Sequence, residues 1–320
     1  NQQKLKMSVE EKAYEVLFSF VTFITAQNFI LDFIIICWYS NRCCSNSCCN
    51  LCCKKDCPPI TRTTTKNYIF FLSLVNCCIS LKVLCQSFQF VINAYYIANY
   101  PGEVCYWLGA LDHFLWLLST GFSVLIATGL RHNAKKDNPV NSEIEKFQRK
   151  LRYAMVAVTI ILSVIPLIPR LFKKHHKIYG WANGGTDEYN LDKFQCWISD
   201  DYGLWTLMFY LPLLLYWVYC VYVLFYTYCQ WGTYESPQQK EFCPMIWYTC
   251  VFVIQWAPRV FLRWFIAFEK NSTAPVWMVY LFWIGYSTQG ISNFVIWIYW
   301  FKDEPTYHKD EHKYHKLSGS

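Results

Sequence analysis

Seven apolar segments, each long enough to cross roughly 30 Å of hydrocarbon, constrain this chain more than any other feature. They fall near residues 14–39, 67–97, 105–130, 151–171, 204–230, 244–268 and 275–301. A segment in lipid must satisfy its backbone internally, so each is expected to be a helix. Pro166, Pro169, Pro212 and Pro258 lie inside these segments, where proline kinks a buried helix rather than forbidding it. Only 16% of the 320 residues are charged, against about 25% in ordinary soluble domains. The expected fold is an all-α membrane protein, a bundle of seven transmembrane helices. Residues 1–303 form one unit and 304–320 a tail.

The connections set the expected orientation. One side carries 17 Lys and Arg residues, concentrated in 40–66 and 131–152, and the other carries 9. Basic residues collect on the cytoplasmic side, which puts the C-terminus in the cytoplasm and the N-terminus outside. The sequon Asn271-Ser272-Thr273 then falls outside. The net charge of +7 is explained by this bias, so a nucleic-acid partner is not expected. The first apolar stretch lacks the pattern of a cleaved signal and is expected to be a retained span. No internal repeat is visible, which disfavours an inverted-repeat transporter. No connection is long enough for a soluble domain.

The 17 cysteines form two populations of note. Cys43, Cys44, Cys48, Cys49, Cys52, Cys53 and Cys57 crowd one juxtamembrane stretch beside Lys54 and Lys55. On the reducing side this composition invites S-acylation (palmitoylation), with the lysines attracted to anionic lipid. Zinc is the rival, because Cys49-x2-Cys52 and Cys53-x3-Cys57 approach ligand spacing. A merely cysteine-biased loop is the third reading. Cys105 and Cys196 both face the expected outer side, where they are either bridged or two free thiols.

Ionisable groups at membrane depth are functional candidates by default. Lys82 and Asp112 fall in overlapping layers of the second and third spans, close enough for a buried ion pair, with His113 alongside. Asp32, toward the inner end of the first span, is expected to meet a neighbouring helix. Arg259 and Arg263 are four residues apart and so share a helical face. If Asp112 is held by Lys82, positive charge is left over, and a planar guanidinium fork suits a carboxylate or phosphate. The rival reading has Arg263 reaching the headgroups. The aromatic excess of 15 Trp, 24 Tyr and 24 Phe reads as interfacial belts and lipid-facing packing, not as a ligand cage. His308, His312 and His315 read as a solvated tail. No catalytic constellation, cofactor motif or resident metal site is expected. A retinal protein is excluded, since 275–301 has no lysine for a Schiff base.

The stretch Cys196-Trp197-Ile198, Tyr202-Gly203 and Phe209-Tyr210-Leu211-Pro212 resembles the outer loop and fifth span of cyclic-AMP-receptor-like seven-helix receptors. The Cys-Trp pair is shared with secretin and adhesion receptors. Cys105-Tyr106, Trp256 with Arg263, and Ser287-Thr288-Gln289-Gly290 match the same pattern in order, over about residues 100–300. The resemblance implies a G-protein-coupled receptor in a plasma or ciliary membrane and a disulfide between Cys105 and Cys196. It implies an extracellular ligand and a heterotrimeric G protein as the cytoplasmic partner, and its match at Arg263 adds to the charge argument for an anionic small ligand contacted by Arg263 and Arg259, with Trp197 and Gln289 near it. The sequence departs from rhodopsin-type receptors: no acidic residue precedes Arg131, and the seventh span lacks Asn-Pro-x-x-Tyr. The short fifth-to-sixth connection (about 231–243) and a tail without a Ser/Thr run point instead to a structural or accessory protein of receptor fold.

Overall fold

The computed structural model describes residues 2–43, 64–92, 102–133, 141–168, 179–181, 196–198, 203–231, 236–268 and 276–301. They form seven α-helices: α1 (Gln2–Cys43), α2 (Thr64–Ile92), α3 (Gly102–Asn133), α4 (Asn141–Val164), α5 (Gly203–Gln230), α6 (Ser236–Phe268) and α7 (Val276–Phe301). Six contain apolar stretches long enough to cross a membrane: Ser19–Ser40, Asn67–Cys85, Tyr106–His132, Lys146–Leu167, Leu207–Gln230 and Phe242–Leu262.

The architecture is not wholly helical. Within the connection between α4 and α5, β1 (Tyr179–Trp181) pairs antiparallel with β2 (Cys196–Ile198) in the register Tyr179↔Ile198, Gly180↔Trp197 and Trp181↔Cys196. This hairpin packs on α3. Three-residue strands give too short an alternation to stand out in sequence. The fourth helix also begins earlier than expected, running through the basic stretch Lys146–Arg152 before its apolar part. Pro166 then ends it in a 3-10 turn, Ile165–Leu167, because proline cannot supply the helical N–H. Pro212 and Pro258 are accommodated inside α5 and α6.

α3 is the axis of the bundle. It packs against α2, α4, α5 and α6, while α1 bridges α2 and α7, and α7 leans on α6. Leu117, Leu125, Ile126, Ala127 and Leu130 of α3 are almost completely buried. The outward faces carry Phe23, Leu215, Phe225 and Ile254, each more than half exposed. So many large apolar groups facing out suit a hydrocarbon solvent rather than water.

Inside the bundle, hydroxyls are satisfied locally or tie helices together. Thr25, Thr128, Thr227 and Thr249 each donate to the carbonyl four residues back, at 2.7–2.8 Å. Between helices, Trp217 Nε1 donates to Val253 O at 2.9 Å, and Tyr248 Oη to Asn293 O at 3.1 Å. Gln255 Nε2 donates to Thr288 Oγ1 at 3.1 Å and Ser292 Oγ at 3.0 Å. Two glycines permit the close approach of α7. A Cβ on Gly285 would lie 2.7 Å from the Gln255 carbonyl, and one on Gly290 would lie 2.8 Å from Asn28. The latter contact lets Asn28 Oδ1 accept from the Ile291 N–H at 3.0 Å.

Candidate functional site

The charged centre is built from α2, α3 and α6. Lys82 Nζ donates to Asp112 Oδ2 between α2 and α3, and both residues are buried. Arg259 of α6 is also buried and interacts electrostatically with both members of the pair. Taken in their charged forms, the three groups carry one net positive charge.

The walls of this centre are aromatic. The Arg259 guanidinium lies 4.9 Å from the ring centre of Trp116, 5.1 Å from Phe209 and 5.1 Å from Trp256. Cation–π attraction of this kind strengthens when water is excluded. Trp116 and Trp256 meet edge-on at 5.1 Å. The helical periodicity explains two of the placements. Asp112 and Trp116 are four residues apart on α3, and Trp256 and Arg259 are three apart on α6, so each pair shares a face. The aromatic excess therefore does more than cover lipid-facing surface: three of its rings enclose the chain's own arginine.

His113 is fully buried, and its ring meets Phe209 edge-on at 5.5 Å. That contact ties α3 to the start of α5. Phe209 thus stands between His113 and Arg259. The end of the bundle at which α5 begins also bears the hairpin, since β2 closes at Ile198 and α5 opens at Gly203.

The expected ligand set is only partly gathered here. Lys82, Asp112 and Arg259 meet, with His113 behind Phe209. Gln289 instead lines a cavity together with Asp32 and Trp116. Trp197 lies in β2 opposite Gly180, but its side chain and that of Arg263 lie outside the described residues. The side chains of Cys105 and Cys196 do too, although the backbone of β2 packs on α3. Cys43 closes α1, while Cys44, Cys48, Cys49, Cys52, Cys53 and Cys57 lie outside the described residues, as do the tail histidines and the sequon.

A cavity lies between α1, α2, α3 and α7. Thr25, Asn28, Asp32, Asn76, Ile79, Ser80, Trp116, Gln289 and Gly290 line it. Asn76 Oδ1 accepts from Ser119 Oγ at 2.8 Å. Sequence reasoning assigned Asp32 a helix contact but missed the cavity. The available signal was Asn28 and Asp32, four residues apart on one face of an otherwise apolar helix. Among the described residues, no three His, Cys, Asp or Glu side chains gather as a metal site.

No model of a known protein family matches the chain, and no curated protein matches it.

Proposed function

We propose that the chain is a seven-helix, receptor-like membrane protein that takes an anionic small ligand at the hairpin end of its bundle. In this reading α7 crosses the membrane with the other six helices. The hairpin end faces outside a plasma or ciliary membrane, and the C-terminus is cytoplasmic. The observation that carries the reading is the buried Lys82–Asp112–Arg259 centre. Its Arg259 guanidinium is buried among the rings of Trp116, Phe209 and Trp256, and a planar fork in such a place suits a carboxylate or phosphate. A carboxylate or phosphate beside Arg259 would accept both hydrogen bonds of that fork. The likeness of Cys196-Trp197 and Gln289-Gly290 to cyclic-AMP-receptor-like receptors supports the same reading. Signalling would follow if the ligand binds one arrangement of the helices more tightly than another.

The test is a panel of organic phosphates and carboxylates added to the purified chain in lipid nanodiscs. Thermal stabilisation is read first, then nucleotide exchange on an added heterotrimeric G protein. At least one anion should stabilise the wild type and not Arg259→Met. Failure of every anion to do so would remove the ligand reading.

A second reading, a non-signalling structural or accessory protein, is favoured by one feature. α5 ends at Gln230 and α6 starts at Ser236, leaving little chain between them for a cytoplasmic partner to grip. Anion binding without nucleotide exchange would select it.

A further inference from the structure

We propose that the outward face of α4 binds the headgroup of a phosphoinositide, an anionic lipid carrying phosphate monoesters, through Lys146, Arg149 and Lys150. These three cations stand at i, i+3 and i+4 and so share one face of the helix. All three are exposed. Tyr153 follows one turn later on the same face and is also exposed. Beyond it the face turns apolar, with Ala157, Ile160 and Val164 exposed in succession. At 1.5 Å per residue the cations cover about 6 Å of the helix axis, and the apolar residues about 10 Å more. Basic, then aromatic, then apolar is the order in which a lipid presents headgroup, interface and acyl chain.

Packing holds this face outward. Gln148, on the opposite side of the helix, is buried, and its backbone carbonyl accepts from Tyr68 Oη of α2 at 3.3 Å. Met155 and Thr159 continue the buried side. Phe147 meets His132, near the end of α3, edge-on at 5.1 Å. The backbone that carries the three cations is therefore fixed against both α2 and α3. Arg152 differs from them: it is half-buried, its guanidinium lies 5.4 Å from the Tyr153 ring centre, and it interacts electrostatically with Tyr68. It belongs to the packing against α2. Glu143 and Glu145 precede Lys146, farther from the apolar part of the helix.

Continuity with the apolar face selects a lipid over a soluble polyanion. The acyl chains can lie along Ala157–Val164 while the headgroup rests on the cations. Three cations within little more than one turn exceed the single net charge of phosphatidylserine and match a headgroup with several phosphate charges. The site uses no residue of the Lys82–Asp112–Arg259 centre and stands independently of the anion-ligand reading.

The experiment is native mass spectrometry of the full chain in neutral detergent, titrated with phosphatidylinositol 4,5-bisphosphate, with phosphatidylserine and with soluble inositol 1,4,5-trisphosphate. The wild type should retain one phosphoinositide at a concentration at least tenfold below that needed for either competitor. Each of Lys146→Gln, Arg149→Gln and Lys150→Gln should weaken retention about fivefold, and the triple variant about 100-fold. If the triple variant does not fold, the single variants decide. A control triple, Lys173→Gln/Lys174→Gln/Lys177→Gln, removes the same charge elsewhere and should bind as the wild type does. The site is overturned if the three substitutions on α4 leave retention unchanged, or if the control weakens it equally, since net charge alone would then account for binding. Equal affinity for phosphatidylserine would overturn the choice of headgroup. Equal affinity for the soluble trisphosphate would assign the cations to a free polyphosphate and overturn the lipid.

Discussion

Lys82 donates to only one oxygen of Asp112: Oδ2 takes the ammonium, while Oδ1 has no hydrogen-bond partner among the described residues. Arg259 interacts with the same carboxylate through space, so one acid serves two bases. The two partners are therefore not equivalent. Removing Asp112 leaves two buried cations facing each other, whereas removing Lys82 leaves a balanced Asp112–Arg259 couple. Asp112→Asn should cost about 3–5 kcal/mol, as for a broken buried pair, and Lys82→Met distinctly less. The double variant Lys82→Met/Asp112→Leu should recover part of the loss. Unfolding titrations in mixed micelles would show the order, and equal penalties would mean that Arg259 does not share the carboxylate.

The glycines of the bundle should differ in tolerance to alanine according to what the new methyl meets. At Gly285 it meets the Gln255 carbonyl at 2.7 Å, a backbone group that can move only with its helix. At Gly290 it meets the root of the Asn28 side chain at 2.8 Å and would break the bond to Ile291. At Gly121 it meets the Met155 side chain at 2.9 Å, and methionine yields readily. The expected order of destabilisation is Gly285→Ala, then Gly290→Ala, then Gly121→Ala, the first two at about 1–3 kcal/mol. Stability measurements on the three variants would check it, and a costly Gly121→Ala would contradict it.

The helices were readable because a segment of about 20 apolar residues has few other fates. The Lys82–Asp112 contact was readable too, because rise per residue fixes the depth of each group along its helix. What depth cannot give is which way a side chain turns around the helix axis. Gln289 and Arg259 were expected to meet one ligand, yet Gln289 lines a cavity with Asp32 and Trp116, whereas Arg259 packs on the rings of Trp116, Phe209 and Trp256. Rotation of that kind is decided by packing, here by the small contacts at Gly285 and Gly290 that set how α7 sits. The Asp32 cavity was hidden for a related reason: its polar residues are spread thinly over α1, α2 and α7, one or two per helix turn, and no local motif unites them.

The cysteines provide a test of orientation. With the hairpin packed on α3, a Cys105–Cys196 bridge would fasten the hairpin to the third helix. Digestion without reductant should yield a peptide linking the two, and cysteine-free variants at both positions should lose stability. On the opposite side, peptides covering residues 43–57 should carry hydroxylamine-sensitive acyl chains. Stoichiometric zinc without acylation would instead select metal binding. An acylated 43–57 together with a bridged Cys105–Cys196 fixes opposite sides of the membrane for the two regions.

Arg259 separates packing from ligand recognition. Its guanidinium faces Trp116, Phe209 and Trp256 at 4.9–5.1 Å. A flat, weakly hydrated cation covers three rings in a way that a compact, strongly hydrated ammonium does not. Arg259→Lys should therefore destabilise the fold by about 1–2 kcal/mol despite conserving charge. Arg259→Met should cost less, because it keeps apolar contact with the rings and leaves Asp112 paired with Lys82. Binding should follow a different rule, with both variants losing the anion, since neither offers a bidentate fork. Unfolding curves give the first comparison, and anion titration followed by tryptophan fluorescence gives the second. A lysine variant as stable as the wild type would show that the rings contribute nothing through the guanidinium. A lysine variant with undiminished anion affinity would show that charge alone, without the fork, recognises the ligand.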